Sequence, residues 1–149
     1  MLYIDLDGFK QITYGHDAGD AVLQEAARRM TQVVRRGDTV AHIGGDAFVV
    51  LLPLLSRRED AAQIADKMLA SLGDPMYADH QRLSVGASAS IAIWPLDGNR
   101  PDSLLRFADL QMYRVKRRRW YDAPPEPPRL PRRQPPCAER SAPCSGSAA

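Results

Sequence analysis

The stretch HIGGDAFVV, residues 42–50, sets two glycines and an acid between two apolar runs. Residues 39–43 and 47–52 are rich in β-type side chains, so the pattern predicts a hairpin whose tight turn is Gly44-Gly45-Asp46. Pro53 ends the second strand, because it cannot donate to a ladder. A carboxylate stands at the tip of the turn, and the residue after it is Ala47.

Upstream, residues 1–4 form an apolar run followed by Asp5-Leu6-Asp7-Gly8, which reads as a strand ending in carboxylates. Residues 13–20, TYGHDAGD, read as a glycine- and aspartate-rich loop. Asp20 then opens a helix in which Val22, Leu23, Ala26, Ala27, Met30, Val33 and Val34 recur at spacings of three and four, with Gly37 as its stop. Downstream, residues 59–72 form a helix with Ile64, Met68 and Leu72 on one face, broken by Gly73-Asp74-Pro75. Residues 82–94 read as one strand, paired with the segment near 76–78, and Pro95 and Gly98 mark a turn. Leu104, Leu105, Ala108, Gln111, Met112 and Val115 give a last helix. The order β-α-β-β-α-β-α predicts an α/β sheet with helices packed on it.

The chain has 149 residues, enough for one ordinary domain, and its 44% hydrophobic and 26% charged content is that of a globular protein. A net charge of +2 gives no strong pull toward nucleic acid or an anionic membrane. No apolar run approaches the roughly 18 residues of a membrane span, and the N-terminus lacks the pattern of a signal peptide. A cytoplasmic chain is the expectation. Residues 1–120 carry four of the 12 prolines and neither cysteine; residues 121–149 carry the other eight prolines with Cys137 and Cys144. Those cysteines have no histidine nearby and do not suit a zinc site. We expect a domain over residues 1–119 and a proline-rich disordered tail over 120–149.

If the strands bearing Asp5 and Asp46 are neighbours, their carboxylates converge at one edge of the sheet. With the backbone carbonyl of Leu6 they make a hard oxygen site suited to Mg²⁺, the ion of phosphoryl and nucleotidyl transfer. The plainer reading is that both aspartates simply serve turns.

The motifs LYIDLDGFK, YGHDAGDAVL, GGDAF, SASIAIWPLDG and ADLQMY occur here in the order and spacing of the GGDEF family, the diguanylate cyclases, and the chain resembles that family over residues 1 to about 119. The resemblance implies an α+β, ferredoxin-like fold similar to the palm of polymerases and to nucleotidyl cyclases, with a mixed sheet surrounded by helices. It implies condensation of two GTP molecules to cyclic di-GMP, with two Mg²⁺ ions, across a homodimer. By the same resemblance, Asp5 and Asp46 are the catalytic, metal-binding carboxylates, and Leu6 adds a carbonyl ligand. Gly44 and Gly45 let the nucleotide approach the turn, a use of glycine with a physical basis. Asp20 binds the guanine edge, whose N1 and N2 donors an aspartate can accept, and Lys10 and Lys116 lie near the phosphates. Arg35 and Asp38 match the Arg-x-x-Asp site through which the product inhibits, five residues before the signature.

Four departures accompany the match. The signature's fourth position, usually glutamate, is Ala47, which can neither ligate a metal nor accept a proton. An Asn-Asp pair expected between Ile12 and Tyr14 is missing; within a helix, that deletion rotates Lys10 by about 200° relative to Asp20. The run KRRRW has no glycine and places Trp120 where the family has arginine, with Arg119 one residue away. The family's opening helix, which precedes the first strand, is absent, so the domain reads as N-terminally truncated. The expectation is a cyclase domain with impaired turnover; an inactive GTP- or cyclic di-GMP-binding module and a non-functional fragment are the other readings. Nucleic-acid binding through Lys116–Arg119 is set aside, because one short basic run is commonly a solvated helix end.

Overall fold

A computed structural model describes residues 1–12, 16–55, 57–78 and 81–122. The elements run β1 (Leu2–Asp7), α1 (Phe9–Ile12), α2 (His16–Val33), β2 (Thr39–Gly44), β3 (Ala47–Leu51), α3 (Arg58–Gly73), β4 (Met76–Ala78), β5 (Gln81–Leu83), β6 (Gly86–Ile91) and α4 (Pro101–Asp122).

Four strands form a sheet in the order β2-β3-β1-β6, and β4 and β5 form a separate hairpin. Strict alternation along β1 decides which face of the sheet carries chemistry. Leu2, Ile4 and Leu6 are buried on one face, whereas Tyr3, Asp5 and Asp7 line the other and are half-buried. The apolar face joins Phe48 and Val50 of β3 to Val22, Ala26 and Met30 of α2 and to Ala61, Ala65, Met68 and Leu72 of α3 in one core. On the opposite face α4 packs against β1 and β6 through Ala108 and Met112. There the buried Ser90 hydroxyl donates to the Ala108 carbonyl at 2.7 Å.

The expected hairpin is present, and its second strand lies beside β1, as convergence of Asp5 and Asp46 requires. The sheet differs from the expected mixed one: every pairing is antiparallel. The strand directions explain this. β2 runs parallel to β1, but β3 folds back between them, so parallel strands are never adjacent.

Four boundaries also differ. The helix expected from Asp20 begins at His16, so residues 16–20 are helical rather than loop, and Gly19 sits buried inside it. Packing outweighs the roughly 1 kcal/mol that glycine costs a helix interior. The helix also ends at Val33, before Gly37; beyond it the Asp38 carboxylate accepts the Arg35 N–H at 2.9 Å. The single strand expected over residues 82–94 is two: β5 folds back onto β4, and β6 joins β1, with Val85 buried at the junction. Finally, α4 continues to Asp122, past the expected boundary at residue 119. The tail beyond it, the side chains of Arg119 and Trp120, and residues 13–15 beside the missing Asn-Asp pair lie outside the described residues.

Arg29 ties the helical layer to the β4–β5 hairpin. Its guanidinium donates to the carbonyls of Ser71 and Asp74 at 2.7 Å and of Pro75 at 2.8 Å, while pairing with Glu25 at 2.7 Å. It thereby satisfies carbonyls that the end of α3 leaves without helical partners.

Candidate functional site

The site is built where β1 ends beside the hairpin tip. In the turn, Gly44 has φ 134° and Gly45 φ 58°, values that favour glycine. A Cβ added at either would meet no atom within 4 Å. Backbone conformation, not crowding, therefore requires these glycines, and the space over the turn is open to a ligand.

The Leu6 N–H donates to the Asp46 carbonyl at 3.0 Å. In an antiparallel strand the N–H and C=O of one residue point the same way. The Leu6 carbonyl thus faces the hairpin, on the side of Asp46. The same alternation makes Asp5 and Ala47, which lie directly opposite, a non-hydrogen-bonded pair, the kind whose side chains stand closer together. Position 47 is therefore the nearest cross-strand neighbour of Asp5, and there the chain offers a buried methyl group, 8% exposed.

Lys116, reaching in from α4, donates to the Asp5 carboxylate and lies 3.5 Å from that of Asp7. Asp7 also accepts the Ser88 hydroxyl at 2.8 Å. Burial pushes the Asp5 carboxyl upward from its ordinary range; the Lys116 bond and charge oppose this, the charges of Asp46 and Asp7 reinforce it, and the net shift is upward. For Lys116, burial works to lower the ammonium, but the hydrogen bond to Asp5 and the charges of Asp5, Asp7 and Asp46 outweigh it, so its net shift is upward. Tyr3, on the same face, is raised by burial and then by Asp109, Asp5 and Asp46. The cluster is acidic, and among the described residues Lys116 is the cation bonded within it.

His42 braces the turn from the other side. Its Nε2 lies 3.0 Å from the Gly45 carbonyl, and its ring centre is 4.8 Å from that of Phe48. The register of β2 against β3 shifts between His42 and Gly44, an irregularity beside which the ring nitrogen reaches the Gly45 carbonyl.

The structure brings Asp5, Leu6, Gly44, Gly45, Asp46 and Lys116 together at this end of β1. Lys10 on α1 and Asp20 on α2 are exposed, and the charges acting on Asp5 are those of Lys116, Asp46 and Asp7. Arg35 and Asp38 stand together past the end of α2, beside a small cavity of about 60 Å³ lined also by Leu54, Leu55 and Ile64. Sequence reasoning missed Asp7 as a site residue, although a two-residue period places it on the face of Asp5. It also missed His42, which lies within the stretch that decides the fold.

Among the described residues, no group of three or more His, Cys, Asp or Glu side chains is placed to hold a metal ion. Two carboxylates and a carbonyl facing one turn nonetheless fit Mg²⁺, which commonly takes one or two protein carboxylates and completes its shell with substrate phosphates and water. Among the described residues, no helix is long and apolar enough to cross a membrane.

Comparison with known proteins gives the site a context. Residues 1–120 match the family model described as diguanylate cyclase, GGDEF domain. The chain is 42% identical over 120 residues to the diguanylate cyclase TpbB of Pseudomonas aeruginosa, covering 78% of this chain and 28% of that protein. It is 40% identical over 120 residues to the bifunctional diguanylate cyclase/cyclic di-GMP phosphodiesterase MucR of the same species, covering 78% of this chain and 17% of that protein. It therefore spans less than a third of either relative. The crystal structure of the TpbB GGDEF domain superimposes with a TM-score of 0.75 at 42% identity, covering 78% of this chain and 74% of that one.

Proposed function

The chain belongs to the GGDEF family of diguanylate cyclase domains, and from that premise we propose that it binds GTP with Mg²⁺ over the Gly44-Gly45-Asp46 turn and condenses GTP to cyclic di-GMP slowly. The observation that carries this reading is the juxtaposition of Asp5, the Leu6 carbonyl and Asp46 beside an open glycine turn, with Ala47 facing Asp5.

In this reading Asp5, Asp46 and the Leu6 carbonyl hold Mg²⁺ together with the phosphates. The bound ion supplies charge neutralisation of the triphosphate and acidifies the attacking 3′-hydroxyl. Lys116 turns from Asp5 and Asp7 toward the phosphates as they arrive, so one ammonium serves both states. The two glycines let the triphosphate reach the turn backbone, Asp20 accepts from the guanine edge, and Lys10 adds positive charge. Each domain holds one GTP, and the reaction joins two of them across a homodimer.

Ala47 leaves the position directly opposite Asp5 on β3 without a carboxylate. It withholds both negative charge for the metal and a group to take the 3′-hydroxyl proton. Loss of a positioned general base slows a reaction by about 10²–10⁴. Arg35 and Asp38 are the proposed contacts for cyclic di-GMP as inhibitor, outside the small cavity, since a cavity of about 60 Å³ cannot take a dinucleotide. A cytoplasmic location follows from the substrate. The test is incubation of the protein with GTP and Mg²⁺, followed by chromatography of the nucleotides. Slow cyclic di-GMP formation that Asp5→Asn abolishes supports the reading; failure to bind GTP at all overturns it.

A further inference from the structure

We infer that His42 is a positioning residue that locks the Gly45–Asp46 peptide so that the Asp46 amide faces the bound phosphate; the inference rests on the GTP reading above. A carbonyl only accepts, so the contact between His42 Nε2 and the Gly45 oxygen at 3.0 Å is an N–H donated by the imidazole. The peptide unit is planar and trans, so the Asp46 N–H points opposite to the Gly45 carbonyl, away from His42. The next carbonyl, that of Asp46, accepts the Leu6 N–H at 3.0 Å. The tip of the hairpin is therefore held by its carbonyls from two sides, by the side chain of β2 and by the backbone of β1.

Such a clamp is needed because the turn is permissive. Gly44 and Gly45 both have positive φ and nothing packs over either one. Glycine populates alternative conformations readily, so without an external hold the Gly45–Asp46 peptide can rotate and turn its amide away. The hold itself is well fixed: the ring lies against Phe48, 4.8 Å between centres and 39° between planes, and Phe48 is anchored in the core. His42 is exposed, so burial does not account for its placement. Locking the peptide gives a triphosphate a prearranged N–H donor beside the Asp46 carboxylate, and removes the entropy of ordering the turn from the cost of binding.

The test separates the hydrogen bond from the ring. His42→Phe keeps the packing on Phe48 and has no donor; His42→Gln keeps a donor of similar reach. Calorimetric titration with α,β-methylene-GTP, whose Pα–C–Pβ link cannot be cleaved, in Mg²⁺ is predicted to show binding weakened roughly 3- to 10-fold in His42→Phe, the worth of one hydrogen bond. His42→Gln is predicted to stay within about 2-fold of wild type, with melting temperatures unchanged in both. In the ligand-free protein, ¹⁵N relaxation dispersion should show exchange at Gly45 and Asp46 in His42→Phe only. Equal affinity in wild type and His42→Phe, or equally rigid turn amides, overturns the clamp while leaving GTP binding standing. Weakening in both variants overturns the role of the hydrogen bond. A wild type that binds no α,β-methylene-GTP overturns the functional reading, a result separable from the other two.

Discussion

Ala47→Glu is the perturbation that bears hardest on the proposal that Ala47 slows turnover. Residue 47 faces Asp5 across a non-hydrogen-bonded pair, where Cβ atoms stand about 4.5–5.5 Å apart. A carboxylate there adds a further negative charge near Asp5, a repulsion of roughly 3 kcal/mol for charges about 5 Å apart at an effective dielectric of about 20. Lys116 offsets part of it, since its ammonium already bonds Asp5. The variant should therefore melt lower than wild type in EDTA and recover that loss with GTP and Mg²⁺. With a carboxylate added opposite Asp5, cyclic di-GMP formation should rise by about 10²–10⁴, the usual worth of a positioned general base. The assay is initial-rate chromatography of the product at saturating GTP, with a thermal melt of each protein alongside. An Ala47→Glu protein that folds, binds GTP as wild type does and makes no more product would refute the assignment of the deficit to this position.

Arg29→Met removes the donors that satisfy the Ser71, Asp74 and Pro75 carbonyls and is predicted to lower unfolding free energy by about 2–4 kcal/mol in urea melts. Lys116→Met leaves Asp5, Asp7 and Asp46 without their internal cation; its melting temperature should fall in EDTA and rise more steeply with added Mg²⁺ than that of wild type. The hydrogen bonds of Arg28 and Arg29 hold the Glu25 carboxyl down, from 4.5 to about 2. A depressed carboxyl stabilises the fold above its unfolded value and loses that contribution as pH falls toward its folded one. Glu25→Gln should thus show a shallower loss of melting temperature than wild type between pH 4.5 and about 2.

The parts of the fold legible in the sequence are those where local chemistry and burial agree. The GG turn needs glycine for its φ values, so the hairpin is visible in the residues themselves. Val22, Ala26 and Met30 recur at a spacing of four and lie together in the core. The start of α2 was obscured because Gly15 and Gly19 read as helix breakers, while tertiary packing overrides the propensity of Gly19. The β5–β6 break was hidden because Val85 keeps the apolar pattern running through the junction. The last helix extends further than expected because arginine is a good helix former, whatever the charge of the run. In the site, Asp5 and Asp46 were legible from strand ends. The Lys116–Asp5 pair joins residues 111 positions apart; it depends on how α4 crosses the sheet, which no local pattern encodes. His42 was illegible for a related reason: its contact with the Gly45 carbonyl arises at a register shift between β2 and β3 that no local pattern encodes.

The most direct measurement of the central claim is isothermal titration of GTP with Mg²⁺ into wild type and into Asp46→Asn. Saturable binding by the wild type is expected, abolished in EDTA and weakened by at least about 10-fold in Asp46→Asn, because a lost metal ligand removes a charged contact. Equal affinity in the two proteins, or binding that ignores EDTA, would contradict a metal–nucleotide site at this turn.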